Sequence, residues 1–255
     1  SAQGGELSFK WVQAAISGLR NGWADAAVTG PISKAAWALA GGGREKYPGH
    51  TELFAESFQS ERYAMFFHAP PTYAGPGMNV ILATVHVPLM QVTRHLSTRR
   101  VIDTVELADE TMKTLGIADP HIGVCGLNPH AGEHGLLGIE DHDVILPAIR
   151  ACVANGLHVT GPHPADTIFQ RALSRIGARP RLDVVVAMYH DQGLIALKTI
   201  AWDRAVNMTV GLPIIRTSPD HGTAYDIAGK NLADPGSMKA AISLAIQIAV
   251  AKRGK

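Results

Sequence analysis

Cysteine is nearly absent from this sequence: 2 residues in 255, Cys125 and Cys152. They are too few and too far apart for a disulfide scaffold, so a reducing cytoplasm is the expected setting. No run approaches the roughly 20 apolar residues that span a bilayer, and no signal-peptide pattern opens the chain, so no membrane partner is expected. Charge of one sign is lacking too. Lys and Arg number 23 against 22 Asp and Glu, a net +1 with histidine neutral, which argues against a nucleic-acid surface or an acidic tail. Internal repeats and low-complexity segments are missing. No Gly-x-Gly-x-x-Gly follows any strand, so a nicotinamide cofactor could bind only outside the Rossmann mode.

What is present is a core, many tight loops and an excess of histidine. Hydrophobic residues make up 46% and charged residues 18%, a composition that folds. The length allows one large α/β unit or two smaller domains. Glycine (26) and proline (15) imply frequent turns, and there are 12 histidines. Helical periodicity covers Leu7–Leu19, Ser97–Leu115, His142–Ala154 and Met238–Ala251. Strand-like runs cover Ala26–Thr29, Tyr63–Phe67, Val80–Val85, Ile122–Leu127, Leu182–Met188 and Val206–Val210. Their alternation predicts βαβ units and a largely parallel sheet. The division expected is one α/β domain from 1–79 and 158–255 and a second from 80–157. A helical pattern precedes the first strand, an unusual opening for this architecture, so an element is expected upstream.

Each clear strand ends in a loop of small and polar residues, where open α/β sheets form their ligand crevice. His86, His130 and His190 occupy equivalent places in three such loops. Three neutral imidazoles with open positions suit a catalytic metal. Lys198, Asn207 and Arg216 follow, a cationic and amide set suited to phosphate or carboxylate, with Leu197, Val206 and Ile215 read as interior strand neighbours. Pro48-Gly49-His50-Thr51-Glu52 reads as a turn into a helix with Thr51 as N-cap, a place where backbone amides and His50 can hold an anion. Asp220–Gly229 reads as a loop entering a helix.

Several ordered motifs together resemble a known family: Gly30-Pro31-Ile32-Ser33-Lys34, Gly49-His50-Thr51-Glu52, Gly126-Leu127-Asn128-Pro129-His130-Ala131-Gly132-Glu133, Pro164-Ala165-Asp166-Thr167, Met188-Tyr189-His190-Asp191-Gln192-Gly193 and Gly211-Leu212-Pro213-Ile214-Ile215-Arg216-Thr217-Ser218. They resemble the 4-hydroxythreonine-4-phosphate dehydrogenases of vitamin B6 biosynthesis, from Leu7 to Ala251. The resemblance implies two α/β/α domains of the isocitrate/isopropylmalate dehydrogenase-like type and a homodimer with active sites built from both chains. It also implies NAD as oxidant and a divalent metal, zinc foremost, with magnesium or cobalt as alternatives. The metal ligands fall on His86, His130 and His190, and the contacts to a small phosphorylated substrate on His50, Thr51, Lys198, Asn207 and Arg216. Asp220–Gly229 resembles the adenine-side loop of isocitrate dehydrogenases, which places the cofactor against His221, Gly222, Thr223 and Asp226. Lys198 and Asp191 are the two candidates for moving the substrate's hydroxyl proton.

Two departures stand out. The family's opening strand and Gly-Asp-Pro-x-Gly-Ile-Gly-Pro-Glu loop do not occur, which implies an N-terminally truncated member. The family's Gly-Glu-Gly-Gly is here Gly132-Glu133-His134-Gly135. His68, His95, His121, His142, His158 and His163 match no site motif and read as surface or core-edge histidines. Two other readings stand beside the vitamin B6 enzyme. One is a relative acting on erythronate or threonate phosphate, or on a dihydrodiol. The other is an inactive binding protein.

Overall fold

The alternation of apolar runs and helical periods resolves, in a computed structural model that describes residues 1–253, into strands and helices in this order. The first are α1 (Ala2–Arg20), β1 (Ala26–Val28), α2 (Lys34–Ala40) and α3 (His50–Ser57). Then come β2 (Ala64–Ala69), β3 (Met78–Leu82), α4 (Val92–His95), α5 (Thr98–Thr114), β4 (Ile122–Cys125) and α6 (Leu146–Ala154). The remainder is β5 (Val159–His163), α7 (Ala165–Ile168), β6 (Val184–Ala187), α8 (His190–Ala201), β7 (Val206–Val210), β8 (Ile215–Pro219) and α9 (Gly236–Arg253). Among the described residues no helix is long and apolar enough to cross a membrane.

Two compact units form. One is Ser1–Tyr63 with the chain from Val206 onward; the other is Ala64–Ala205. The segment 80–157, expected to stand apart, packs in one unit with 64–79 and 158–205. The reason is strand pairing: β2 pairs with β3, and β6 lies between β3 and β4.

In the first unit β8 pairs parallel with β1 and antiparallel with β7. Side chains alternate across a strand, so Thr217 and Arg216 must point opposite ways. Thr217 donates from Oγ1 to the Ala241 carbonyl of α9 at 2.9 Å. Arg216 therefore faces the other side, where Phe9, Val12, Ile16 and Leu19 of α1 pack with Ala27, Trp37, Leu53 and Phe54. Their 3–4 residue spacing along α1 makes the apolar stripe that buries this helix.

In the second unit the strand order is β2-β3-β6-β4-β5, and β3, β6, β4 and β5 are parallel. The sheet is thus parallel here except at β2, which runs antiparallel to β3. The three valines of β6 are completely buried, as a strand covered on both faces requires. Val185 and Ala187 face Leu194, Leu197 and Ala201 of α8, while α5 packs against the sheet as well. Gly193 makes the close approach of α8 possible: a Cβ there would lie 2.7 Å from Val80 Cγ1 and 3.1 Å from Ala187 Cβ. That contact fixes the start of α8, and with it His190.

Several expectations need correction. Leu197 and Lys198 lie on a helix, not in a strand; Leu197 is buried because it is on α8's inner face. Thr51 is not the N-cap of α3; Gly49 holds that position without a side-chain bond, and Thr51 is buried one residue inside the helix.

Candidate active site

Because β3, β6 and β4 are neighbouring parallel strands, the loops that follow them emerge at one edge of the sheet. His86, His190 and His130 follow those strands in turn. Side chains tie the loops together. Thr84 Oγ1 donates to the Met188 carbonyl at 2.7 Å. Gln192 accepts from Met188 N at 2.7 Å and donates to the Gly126 carbonyl at 2.8 Å. Neither residue carries a role in the sequence reading, although Gln192 lies in the Met188–Gly193 motif and Thr84 two residues before His86. A buried-edge amide or hydroxyl beside a strand end is the signal that marks them.

His86 and His190 are brought together, with ring centroids 5.6 Å apart, on a cavity of about 410 Å³ also lined by Val85, Tyr189 and Asp191. Two imidazoles on one tetrahedral ion, with metal–nitrogen bonds of about 2.1 Å, place their centroids roughly 5–6 Å apart. The pair fits an ion. Asp191 Oδ1 lies 2.7 Å from His190 Nδ1, the arrangement in which a carboxylate orients a ligand histidine and leaves Nε2 for the metal.

His130 lines a different cavity, of about 330 Å³, with Glu133, His134, Asp141 and His142. Among the described residues, the one trio of potential ligands with all donor atoms within 4.8 Å of one another is Asp119, His121 and His158. One chain therefore gathers two of the three predicted histidines. The cause is local. His130 through His134 all have positive φ, between 42° and 82°, a left-handed turn that non-glycine residues rarely adopt. Asp141, 2% exposed, accepts from Leu127 N, Asn128 N and Asn128 Nδ2 at 2.8 to 3.1 Å and so anchors this turn. Its place at the start of a helical pattern gave no hint of that role.

His134 shares the His130 cavity and sits at φ 55°. His134→Gly is expected to raise the denaturation midpoint, stabilising by about 0.5–1 kcal/mol, because relief of left-handed strain outweighs glycine's extra unfolded-state entropy. A lower midpoint in urea would show that the imidazole makes an offsetting contact.

The first unit holds a second polar cluster. Arg216, 4% exposed, donates from Nε and Nη2 to Thr29 Oγ1 at 3.1 and 2.7 Å and from Nη1 to Thr209 Oγ1 at 3.1 Å. Among the described residues no carboxylate hydrogen-bonds it. Burial lowers its pKa to about 10, partly offset by Glu52, so it remains charged at neutral pH. A buried cation with only hydroxyl partners is costly unless an anion completes it. Thr51 Oγ1 and Thr209 Oγ1 are 3.3 Å apart, which joins α3 to the same cluster. Asn207 Oδ1 is buried without a hydrogen-bond partner, an acceptor waiting for a donor. Thr209 was missed, though it lies two residues from Asn207 on the same strand face.

His50 is pushed down to about pKa 3 by burial and by the charge of Arg216, so it serves as a neutral imidazole. An unfolded His50 takes up a proton near pH 6.5 and the folded one does not. Stability is therefore full above that pH and lost as pH falls toward 3. His50→Gln should flatten the decline of Tm between pH 6.5 and 4, where His50 supplies up to about 1.4 kcal/mol per pH unit. Parallel Tm profiles for the two proteins would contradict this.

The loop from Asp220 contains a short turn at Tyr225–Ile227 and leads to α9 at Gly236, in agreement with the helix expected from Met238. His221, Gly222 and Asp226 are exposed and Thr223 partly buried. A side chain at Gly222 would meet nothing within 4 Å, so the fold itself does not demand glycine there and the loop's outer surface is open to a ligand.

Residues 1–245 match the family model described as pyridoxal phosphate biosynthetic protein PdxA. A 4-hydroxythreonine-4-phosphate dehydrogenase of Desulforapulum autotrophicum is 44% identical over 94% of this chain and 67% of its own length. A D-threonate 4-phosphate dehydrogenase of Cupriavidus necator is 43% identical over 98% of this chain and 71% of its own. The crystal structure of 4-hydroxythreonine-4-phosphate dehydrogenase from Klebsiella pneumoniae superposes with TM-score 0.80 at 41% identity, covering 98% of this chain and 72% of that one. Isocitrate dehydrogenase from Methylococcus capsulatus shares the fold, at TM-score 0.57 and 15% identity over 90% of this chain and 70% of that one. With strand-end histidines, a buried guanidinium and this extent of match in one chain, the protein belongs to the PdxA family, on the isocitrate/isopropylmalate dehydrogenase-like fold.

Proposed function

We propose that this chain is an oxidoreductase that oxidises the C3 hydroxyl of 4-phosphooxy-L-threonine with NAD. The product is a 2-amino-3-oxo acid, which loses carbon dioxide to give 3-amino-2-oxopropyl phosphate. The observation that carries the reading is Arg216, buried and charged, hydrogen-bonded among the described residues only to the hydroxyls of Thr29 and Thr209 and to no carboxylate. A phosphate dianion is the ligand that best completes a buried planar fork. Neutral His50 and the Thr51 end of α3 add donors that bring no further charge.

Asn207 Oδ1 accepts from the substrate's amine or hydroxyl, which satisfies its missing partner and fixes orientation. His86 and His190 would hold a divalent metal, zinc first and magnesium or cobalt as alternatives. The third ligand is His130, with a second copy of the chain completing the set in a homodimer; the separate cavity of His130 in one chain supports that arrangement. When bound, the metal would polarise the reacting hydroxyl and later the ketone oxygen. NAD, against His221, Gly222, Thr223 and Asp226, would accept the hydride. Asp191 is already bonded to His190, so its task is to orient that imidazole. Lys198, on the same helix as His190, is the candidate assigned to take the hydroxyl proton. The cytoplasm suits this activity, and both cysteines are free thiols.

A second reading, oxidation of D-threonate 4-phosphate, is favoured by the similarity to the Cupriavidus enzyme. The two substrates differ at C2, amine against hydroxyl, and Asn207 Oδ1 accepts from either. NADH formation measured across both phosphates, erythronate 4-phosphate and a dihydrodiol decides between them. The highest kcat/KM is expected for 4-phosphooxy-L-threonine. A higher value for D-threonate 4-phosphate would install the second reading, and no NADH with any of them would overturn both.

A further inference from the structure

Asp119, His121 and His158 lie at the opposite ends of the strands from the site just described. β4 begins at Ile122 and β5 at Val159, and those two residues are in register in a parallel pair. The residues just before them, His121 and His158, must then emerge side by side. Their ring centroids are 3.9 Å apart at an interplanar angle of 56°, a tilted pair closer than the roughly 5–6 Å of two imidazoles on one tetrahedral ion, so an entering ion would swing these partly exposed rings apart. Asp119 Oδ2 lies 3.4 Å from His158 Nδ1. Two ligands of a tetrahedral ion with bonds of about 2.1 Å are separated by about 3.4 Å. One donor atom from each of the three residues lies within 4.8 Å of the others.

The backbone beneath is held firmly. His121 N donates to Asp183 Oδ2 at 2.8 Å, Asp183 N donates to the His121 carbonyl at 2.8 Å, and Ile122 N donates to the His158 carbonyl at 2.9 Å. Arg179 Nη2 donates to the Asp119 carbonyl at 2.7 Å. That guanidinium is the nearby charge that would oppose a cation, and it is paired through two bonds, at 3.0 and 2.6 Å, with the fully buried carboxylate of Asp183. Asp119 and His158 are exposed and His121 partly so, leaving the trio open to an ion and to water as a further ligand.

We propose that Asp119, His121 and His158 form a second divalent-metal site, separate from the strand-end histidines. Two imidazoles and one carboxylate select zinc, nickel, cobalt or copper over magnesium and calcium. An ion there would clamp the start of β5 to β4, a structural role at the far edge from the chemistry.

The test uses the chelator-stripped protein carrying His86→Ala and His190→Ala, titrated with Zn²⁺ alone by equilibrium dialysis. One zinc per chain is expected to remain. Adding His158→Ala, at an exposed position where circular dichroism should show the fold unchanged, should weaken that binding at least about tenfold, and Asp119→Asn should weaken it too. A background protein that binds no zinc would overturn the proposal. So would equal zinc affinity with and without His158→Ala.

Discussion

Arg216→Lys is expected to raise KM for the phosphorylated substrate roughly a hundredfold, with a smaller effect on kcat. Lysine keeps the charge and loses the fork, and two charge-assisted bonds at about 1.5 kcal/mol each set that size. Arg216→Met separates function from folding more sharply. Removing a buried cation that has only Thr29 and Thr209 for partners should leave Tm unchanged or raise it, because a well-packed apolar side chain needs no counter-ion. Binding should be lost. A wild-type KM in Arg216→Lys, or a Tm that collapses in Arg216→Met, would show that the guanidinium is a structural group.

His190→Ala should lower kcat/KM about a thousandfold and release bound metal while leaving Tm nearly unchanged, since a metal's charge stabilisation is worth several kcal/mol and the imidazole is only partly buried at the start of α8. His86→Ala should match it. Asp191→Asn, which keeps the ligand and loses the orienting carboxylate, should fall between wild type and these variants, about 10–100-fold down. Full metal content in both alanine variants would remove these histidines from the metal site.

Much of this arrangement was legible because it follows from strand periodicity. Buried runs such as Val184–Val186 announce central strands, and the polar residues that follow them must gather at one edge. Other features depend on partners distant in sequence. β8 reads Ile-Arg-Thr-Ser-Pro and β5 Val-Thr-Gly-Pro-His, too polar for their runs to signal strands, and only pairing makes them so. The stretch around Lys198 is apolar in a way that suits strand or helix; contact with Val80 and Ala187 through Gly193 decides for helix. Four of the five residues His130–His134 are not glycine, so little in the sequence marks the stretch as left-handed, and the buried Asp141 that holds the chain just before it, at Leu127 and Asn128, lies more than ten residues on. His121 and His158 look unremarkable until the β4–β5 register sets them together.

The most direct test of the central claim, that the buried guanidinium of Arg216 is there to receive a phosphate, is NADH formation with 4-phosphooxy-L-threonine and with 4-hydroxy-L-threonine, each in wild type and Arg216→Lys. Wild type should prefer the phosphorylated compound by at least about a hundredfold in kcat/KM, and that preference should shrink sharply in the variant. Equal kcat/KM for the two compounds in wild type, or a preference that survives in Arg216→Lys, would contradict the account.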